Sequence, residues 1–508
     1  MPTKPRVPAG RAVSKPKAQT PPRVHPDPAP DSAPETRINL RGDDNAVAVG
    51  PKSFAANIKV IFQGNWRPFA AVLFVVAVLL GTILWFVIPK QSNHFSAQFG
   101  VAVAEFLVQD ENGNAVKSDA GRRLAESIAS QMDANFKDMR LDTVTTYEIW
   151  GPKQTGALAG EEEARQFALS TGATMVVYGQ VKESNGVAFF TPRFFVNQSA
   201  FQEAEELTGQ HDLGRDVQGK LDASMILAES PGVQARVEGL SMLTIGLVYY
   251  SVDNYEQALE YFQKADNPEW VGSGKETVYL LIGNVYIRQA SDTGDFSALS
   301  VPEKYYQDAL DIDPNYGRAM IGEANVLYLR AYKLDDCDPA GLEAASALLD
   351  QSLTLTGQPA SANIETKVHF YRGQIAIIRD ACKIPGADWR SSAEQEFAWV
   401  TARYESNPES EASQGIQYFA SHAYARLGYL AYLRNDAEAA IAFMQKAIPI
   451  APAKDKADYL SLLGDYYIIV GQTDQALKVY QQALAIAIGN GDAAKAEKFQ
   501  QKLDSVGQ

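Results

Sequence analysis

The chain has 508 residues, 46% of them hydrophobic, and a formal net charge of −15. That length allows about three domains with sizeable cores. The acidity excludes a nucleic-acid footprint, which needs a basic surface, and two cysteines and five histidines without metal-ligand spacing exclude a disulfide-built scaffold and a zinc site.

Charge is unevenly spread. Residues 1–67 hold 11 Lys/Arg against 5 Asp/Glu, residues 68–89 hold none, and the remainder holds 35 against 56. Residues 1–52 are rich in Pro and Ala and poor in large apolar side chains. Such a stretch cannot offset its ordering entropy, so it is read as a disordered, basic cytoplasmic tail. It either docks a partner or anionic lipid, or is simply solvated. Residues 53–67 set Phe54, Ile58, Ile61 and Phe62 on one helical face, a juxtamembrane amphipathic segment. Residues 68–89 run uncharged from Phe69 to Ile88 between Pro68 and Pro89. That length is read as one transmembrane helix. The basic excess before it places the tail in the cytoplasm and the body outside. Ala77 and Gly81 offer a small-residue seam for a homo-oligomer.

Residues 97–219 change character. Phe99–Val108 is a compact apolar run, read as a buried strand. Ala120–Phe136 repeats Leu124, Ile128 and Met132 at helical spacing, and Thr143–Ile149 is β-rich. Glu161–Ser170 reads as a helix with three glutamates at its favourable end. Met175–Val181 and Val187–Val196 read as a strand pair around Ser184-Asn185-Gly186. The order β-α-β-α-β-β predicts a small α/β sandwich. Ala164–Val181 resembles a block of the TolB amino-terminal and FlgO-type envelope domains, which implies a bacterial envelope protein and carries no site residues. Phe201–Ser230 is polar and poorly patterned, and 220–236 is read as a connector.

From 237 to 490 a repeat takes over. Tyr424, Leu427, Gly428, Ala440, Met444, Ala447 and Pro452 set a spacing that returns 36 residues on at Leu460, Leu463, Gly464, Ala476, Tyr480 and Ala483. Units of this period are helix pairs that bury their apolar faces by stacking. Met242, Ile245, Gly246, Tyr249, Ala258, Phe262 and Ala265 open the array. Gly283, Ala324 and Gly373 anchor three irregular units between, giving six in all, and 491–508 is a capping helix. The pattern resembles the tetratricopeptide repeat (TPR), which implies an all-α solenoid. The whole is therefore expected to be an α+β multidomain protein: disordered tail, one transmembrane helix, small α/β sandwich, then the solenoid.

Nothing marks catalysis. Gly151–Gly156 has P-loop glycine spacing, but Ala157-Leu158 stand where Lys and Ser/Thr are required. Gly272-Ser-Gly-Lys275 lacks the first glycine of that pattern. Neither HExxH nor GxSxG occurs. His369 and His422 read as packing or surface, and no cofactor is implied.

The TPR resemblance implies that ligands bind the groove lined by the first helix of each pair. The family's groove positions fall on Asn284, Ile287, Arg288, Arg318, Ile321, Asn325, Tyr328, Lys367, Phe370, Gln374, Tyr429 and Tyr432. Asn284 and Asn325 stand where peptide-binding members keep an amide that both donates and accepts. The alternative is ordinary polar helix surface. Cys337 and Cys382 lie in equivalent long loops of units three and four, so either they bridge or they are two buried thiols. The functional expectation is a non-catalytic, membrane-anchored scaffold binding protein or peptide partners on its extracytoplasmic side. The competing expectation is an envelope sensor whose α/β domain binds a small molecule or glycan.

Overall fold

The computed structural model describes residues 94–506 apart from 111, 185–186, 198–207, 216, 220–230, 335–336, 356–362, 407 and 409–414. Residues 90–508 form one compact unit. The tail 1–52, the segment 53–67 and the span 68–89 lie outside the described residues.

The expected fold class is corrected on its membrane helix. Among the described residues, no helix is long and apolar enough to cross a membrane. The longest, Pro231–Ser251, interrupts its apolar sequence with Arg236 and Glu238 and buries its apolar side chains in a protein core. The fold is an α/β domain joined to a helical solenoid.

The sheet has eight strands: β1 (Phe99–Val103), β2 (Leu107–Gln109), β3 (Ala115–Val116), β4 (Tyr147–Trp150), β5 (Met175–Ser184), β6 (Val187–Val196), β7 (Gly209–Asp212) and β8 (Val217–Gly219). The apolar run 99–108 is two strands, not one. Both pair in parallel with β5, Val101–Val103 opposite Met175–Val177 and Leu107–Val108 opposite Gln180–Val181. Phe106 makes the break. Its ring lies so close to Gly179 that a Cβ there would sit 2.5 Å from it, and its carbonyl oxygen would lie 1.8 Å from a Cβ on Gly121. Only glycine permits both approaches. β6 covers the other edge of β5, and β7 and β8 extend the sheet beyond β6. Those last two strands come from the polar stretch read as poorly patterned.

Helix α1 (Asp119–Asp138) is capped by Ser118, whose hydroxyl accepts from the Gly121 N–H at 3.0 Å. Leu124, Ile128, Met132 and Phe136 bury against one face of the sheet. Helix α2 (Glu161–Thr171) sets Ala164 and Ala168 against Val176, Tyr178 and Phe195 on the other.

The solenoid begins with α3 (Pro231–Ser251), inside the stretch read as connector, paired with α4 (Tyr255–Ala265). Five more pairs follow: α5 (Lys275–Thr293) with α6 (Ser300–Ile312), α7 (Gly317–Lys333) with α8 (Pro339–Thr354), α9 (Ile364–Ala381) with α10 (Trp389–Glu405), α11 (Gln417–Leu433) with α12 (Ala437–Ala447), and α13 (Ala453–Ile469) with α14 (Thr473–Gly489). Helix α15 (Ala493–Val506) closes the array, burying Phe499 and holding Asp465 of α13 with Lys502 at 2.6 and 2.7 Å.

One contact recurs in most pairs. A glycine on the first helix receives a ring from the second: Gly246 and Phe262, Gly283 and Tyr306, Gly373 and Phe397, Gly464 and Tyr480. A Cβ at any of these glycines would stand 2.4–2.7 Å from that ring. In the α11–α12 pair Met444 takes the ring's place against Gly428.

The α/β domain and the first units share one continuous core, from Phe99 through Leu240 to Val285. Arg236 ties this junction. Its guanidinium donates to the carbonyls of Leu213, Gly232, Val271 and Ser273 at 2.8–3.2 Å, joining the end of β7 to α3 and the α4–α5 loop. Burial lowers its pKa to about 10.

Candidate functional site

The first helices of units two to five, α5, α7, α9 and α11, line a concave cavity of about 290 Å³. Ten of the twelve groove positions meet there: Asn284, Ile287 and Arg288 from α5; Arg318, Ile321, Asn325 and Tyr328 from α7; Lys367, Phe370 and Gln374 from α9. Tyr429 and Tyr432 do not line it. They are 37% and 41% exposed, and Tyr432 stacks on Tyr466 of α13 at 5.5 Å between ring centres. On α11 the cavity is lined by Tyr418, His422 and Arg426 instead.

The reason is superhelical drift. On α5 the lining extends toward the C-terminal side of the anchor Gly283, as far as Ser291. On α9 it ends at Gln374, one residue past Gly373. On α11 it lies wholly before Gly428. Each stacked unit rotates slightly against the last, so a fixed offset slides out of the groove. A signal for His422 was present, since Arg318, Lys367 and His422 each stand six residues before their anchor.

Several side chains are fixed from behind. Tyr306, fully buried on α6, donates to Asn284 Oδ1 at 2.8 Å. Asn284 is 8% exposed, and its Nδ2 has no hydrogen-bond partner among the described residues. Arg288 Nε donates to the Tyr250 hydroxyl at 3.1 Å. Arg318 reaches the α/β domain, donating to the Thr208 carbonyl at 2.7 Å and to His211 Nε2 at 3.0 Å. His211 stacks in turn on Phe194 of the sheet. One wall of the cavity therefore bears on the α/β domain. Tyr328 and Tyr332 stack at 5.7 Å, and burial pushes the Tyr328 hydroxyl up to about 12.

Cationic side chains reach the cavity from all four units. Arg288, Arg318, Lys367 and Arg426 line the cavity, and no described carboxylate does. His422 registers this field. Burial, then the charges of Arg426, Lys454 and Arg288, lower its pKa to about 3. Its Nδ1 meets the Tyr459 hydroxyl, and its Nε2 lies 3.5 Å from Asp455. A folded-state value below the ordinary one of about 6.5 means that the unfolded chain takes up the proton first. This group's contribution is therefore complete above about pH 6.5 and falls away as pH drops toward 3, by up to about 1.4 kcal/mol per pH unit. Urea midpoints followed from neutral to acid pH should fall less steeply in His422→Gln than in wild type; parallel curves would contradict a buried neutral imidazole.

The two P-loop-like stretches are ordinary structure. Pro152–Thr155 forms a single helical turn, and Lys275 Nζ is held by Asp266 at 2.6 Å. Cys337 and Cys382 are joined in a disulfide with Cα atoms 5.7 Å apart. It connects the loop after α7 to the end of α9, two helices that supply seven of the ten groove residues found in the cavity.

Part of the repeat array matches a known family. The family described as tetratricopeptide repeat matches residues 241–267, 421–454 and 457–487, in units one, five and six. No curated protein matches the sequence. Among solved structures, PilW, a widely conserved type IV pilus biogenesis factor, is similar at 14% identity over 51% of this chain and 97% of its own, with a TM-score of 0.35. The pilF protein of Pseudomonas aeruginosa is similar at 14% identity over 53% and 99%, with a TM-score of 0.35. A signal-transduction ATPase with a tetratricopeptide-repeat sensor from Pyrococcus horikoshii is similar at 17% identity over 53% and 37%, with a TM-score of 0.36. Tetratricopeptide-repeat proteins generally mediate protein–protein interactions and are typically non-catalytic. The C-terminal half of this chain contains tetratricopeptide repeats, at residues 241–267, 421–454 and 457–487.

Proposed function

We propose that this protein is a non-catalytic scaffold that holds a protein or peptide partner in the concave face of its repeats, in an oxidising compartment outside the cytosol. The observation that carries the reading is the cavity itself, lined by side chains from four successive units. A segment seated there touches α5, α7, α9 and α11 at once, which is how a solenoid presents an extended binding surface. The general role of the family supports the class of function. The disulfide supports the compartment, since cytosolic thiols are kept reduced. The receptor reading of the α/β domain draws no such support. That domain applies its α1 face to α3, and the void at the junction is about 20 Å³, room for one water rather than an organic ligand.

The test is site-specific photo-crosslinking of the full-length protein in its own cells. A crosslinker at Tyr332, which lines the cavity, should give a discrete protein adduct. One at Val271, 76% exposed and away from the cavity, should not. No adduct from position 332, or equal labelling from both, would overturn the reading.

A further inference from the structure

The disulfide between units three and four sits where a reagent can reach it. Cys337 is exposed and Cys382 is half-buried. Attack on a disulfide needs access to one of its sulfurs, and exposed bonds are the exchangeable ones. We propose that this bond is a thiol–disulfide exchange site, opened and closed by an external protein that carries a dithiol, and that its state sets how firmly α7 and α9 are held together. That this spacing governs partner binding rests on the groove being the binding face.

Three observations converge on that chemistry. The first is position. The bond joins the residue before Asp338, the N-cap of α8, to the C-cap of α9, and so bridges the loop after one groove helix to the end of another. The second is that the surrounding fold does not depend on the bond alone. Arg379, one turn before Cys382, donates to the Leu342 carbonyl, to Glu343 and to the Ser346 hydroxyl at 2.8–3.2 Å, so α9 stays tied to α8 when the bond opens. Cys382 packs against the core that holds Leu342, Leu349 and Ile378, where a free thiol sits as a small hydrophobe. The opened state is therefore a folded array with freer walls, which distinguishes a switch from a staple. The third is that Tyr332 and Leu334, 41% and 48% exposed, give a docking protein an apolar foothold beside Cys337. In the opening step a thiolate of the dithiol attacks Cys337 Sγ. The Cys337–Cys382 bond breaks, and its electron pair leaves on Cys382 Sγ, which takes a proton from water. The second thiol of the dithiol, once deprotonated, attacks its neighbour's sulfur in the mixed disulfide and expels Cys337 as a thiolate. Two electrons pass from the dithiol to the bond, the external protein leaves with the new disulfide, and the reverse sequence closes the clasp.

The experiment treats the folded, full-length protein with dithiothreitol or with reduced thioredoxin, both without denaturant, and maps alkylated cysteines by mass spectrometry over time. Both reagents should open the bond. At equal thiol concentration thioredoxin should be faster by about tenfold or more, because a docked thiol acts at a raised local concentration. A thioredoxin variant lacking its second cysteine should be trapped on Cys337. The circular dichroism spectrum should be unchanged by reduction. Amide exchange in α7 and α9 should rise on reduction and return to its starting rate once oxidised glutathione restores the bond. Reduction that needs denaturant, reduction by dithiothreitol but not by thioredoxin, or loss of the helical spectrum on reduction would overturn the proposal, and a trap recovered on Cys382 would overturn the direction of attack. The Tyr332 adduct separates this site from the groove reading. If the bond exchanges reversibly and no adduct forms in either state, the exchange site stands and the groove reading fails. If the adduct forms equally in both states, the groove reading stands and control of it by the bond is lost.

Discussion

Tyr306→Ala is expected to destabilise the middle of the array by about 3–5 kcal/mol, the range for emptying a buried aromatic site. Tyr306 is 1% exposed, and its ring lies between two first helices rather than against one. A Cβ on Gly283 of α5 or on Gly322 of α7 would sit 2.6 Å from it. The same residue thus spaces units two and three. Neither glycine has a side chain that could relax into the vacated volume, so the cavity term is retained in full. The loss should appear as a lower denaturant midpoint and as faster amide exchange in α5, α6 and α7, with α13–α15 unaffected. Tyr306→Phe separates packing from polarity. It keeps the ring and strips the donor from Asn284 Oδ1, which is expected to cost about 1–3 kcal/mol, the penalty for an unpaired buried group. Equal losses in the two variants would mean that the ring's position between the glycines is not what stabilises the site.

The glycine–ring contact also explains what the sequence made legible. Gly246, Gly283, Gly373 and Gly464 recur because each second helix brings a large side chain against the first, so small and large residues must alternate at fixed spacing. Sequence period and packing are the same fact there, and the six pairs could be read directly. The groove was legible as far as α9 for the same reason. It was lost at α11 because offsets repeat in sequence while the units rotate in space, which moved the lining from Tyr429 and Tyr432 to Tyr418, His422 and Arg426. The sheet was harder. β7 spells Gly-Gln-His-Asp, with no apolar alternation, and it is a strand because β6 offers it an edge. Nor could the shared core be foreseen: α3 is buried nearly all round, so no single apolar stripe on it points to the α/β domain. Arg236 in that core looks like a surface residue until its carbonyl partners, drawn from distant loops, are assembled around it.

Reduction of the Cys337–Cys382 bond is expected to loosen units three and four and to leave units one and six as they were. The bond spans a sequence separation of 45, for which the chain-entropy relation gives about 4 kcal/mol of stabilisation. These units are where a clip matters. Ala324 replaces the anchoring glycine of unit three, and α8 buries only Leu342, Ala345, Leu349 and Ser352 along its 16 residues. The bond fastens the chain just beyond α7 to the end of α9, so it also limits how far these two walls of the cavity can separate. Exchange mass spectrometry with and without reductant should show protection lost from α7 to α10, and retained in α14 and α15. The double variant Cys337→Ser/Cys382→Ser should show the same loss and no further response to reductant. The adduct formed from position 332 should become weaker, because more freedom in the walls means more ordering on binding. Recovery of both cysteines alkylated from protein trapped at isolation would remove the bond, and unchanged protection on reduction would remove its structural role.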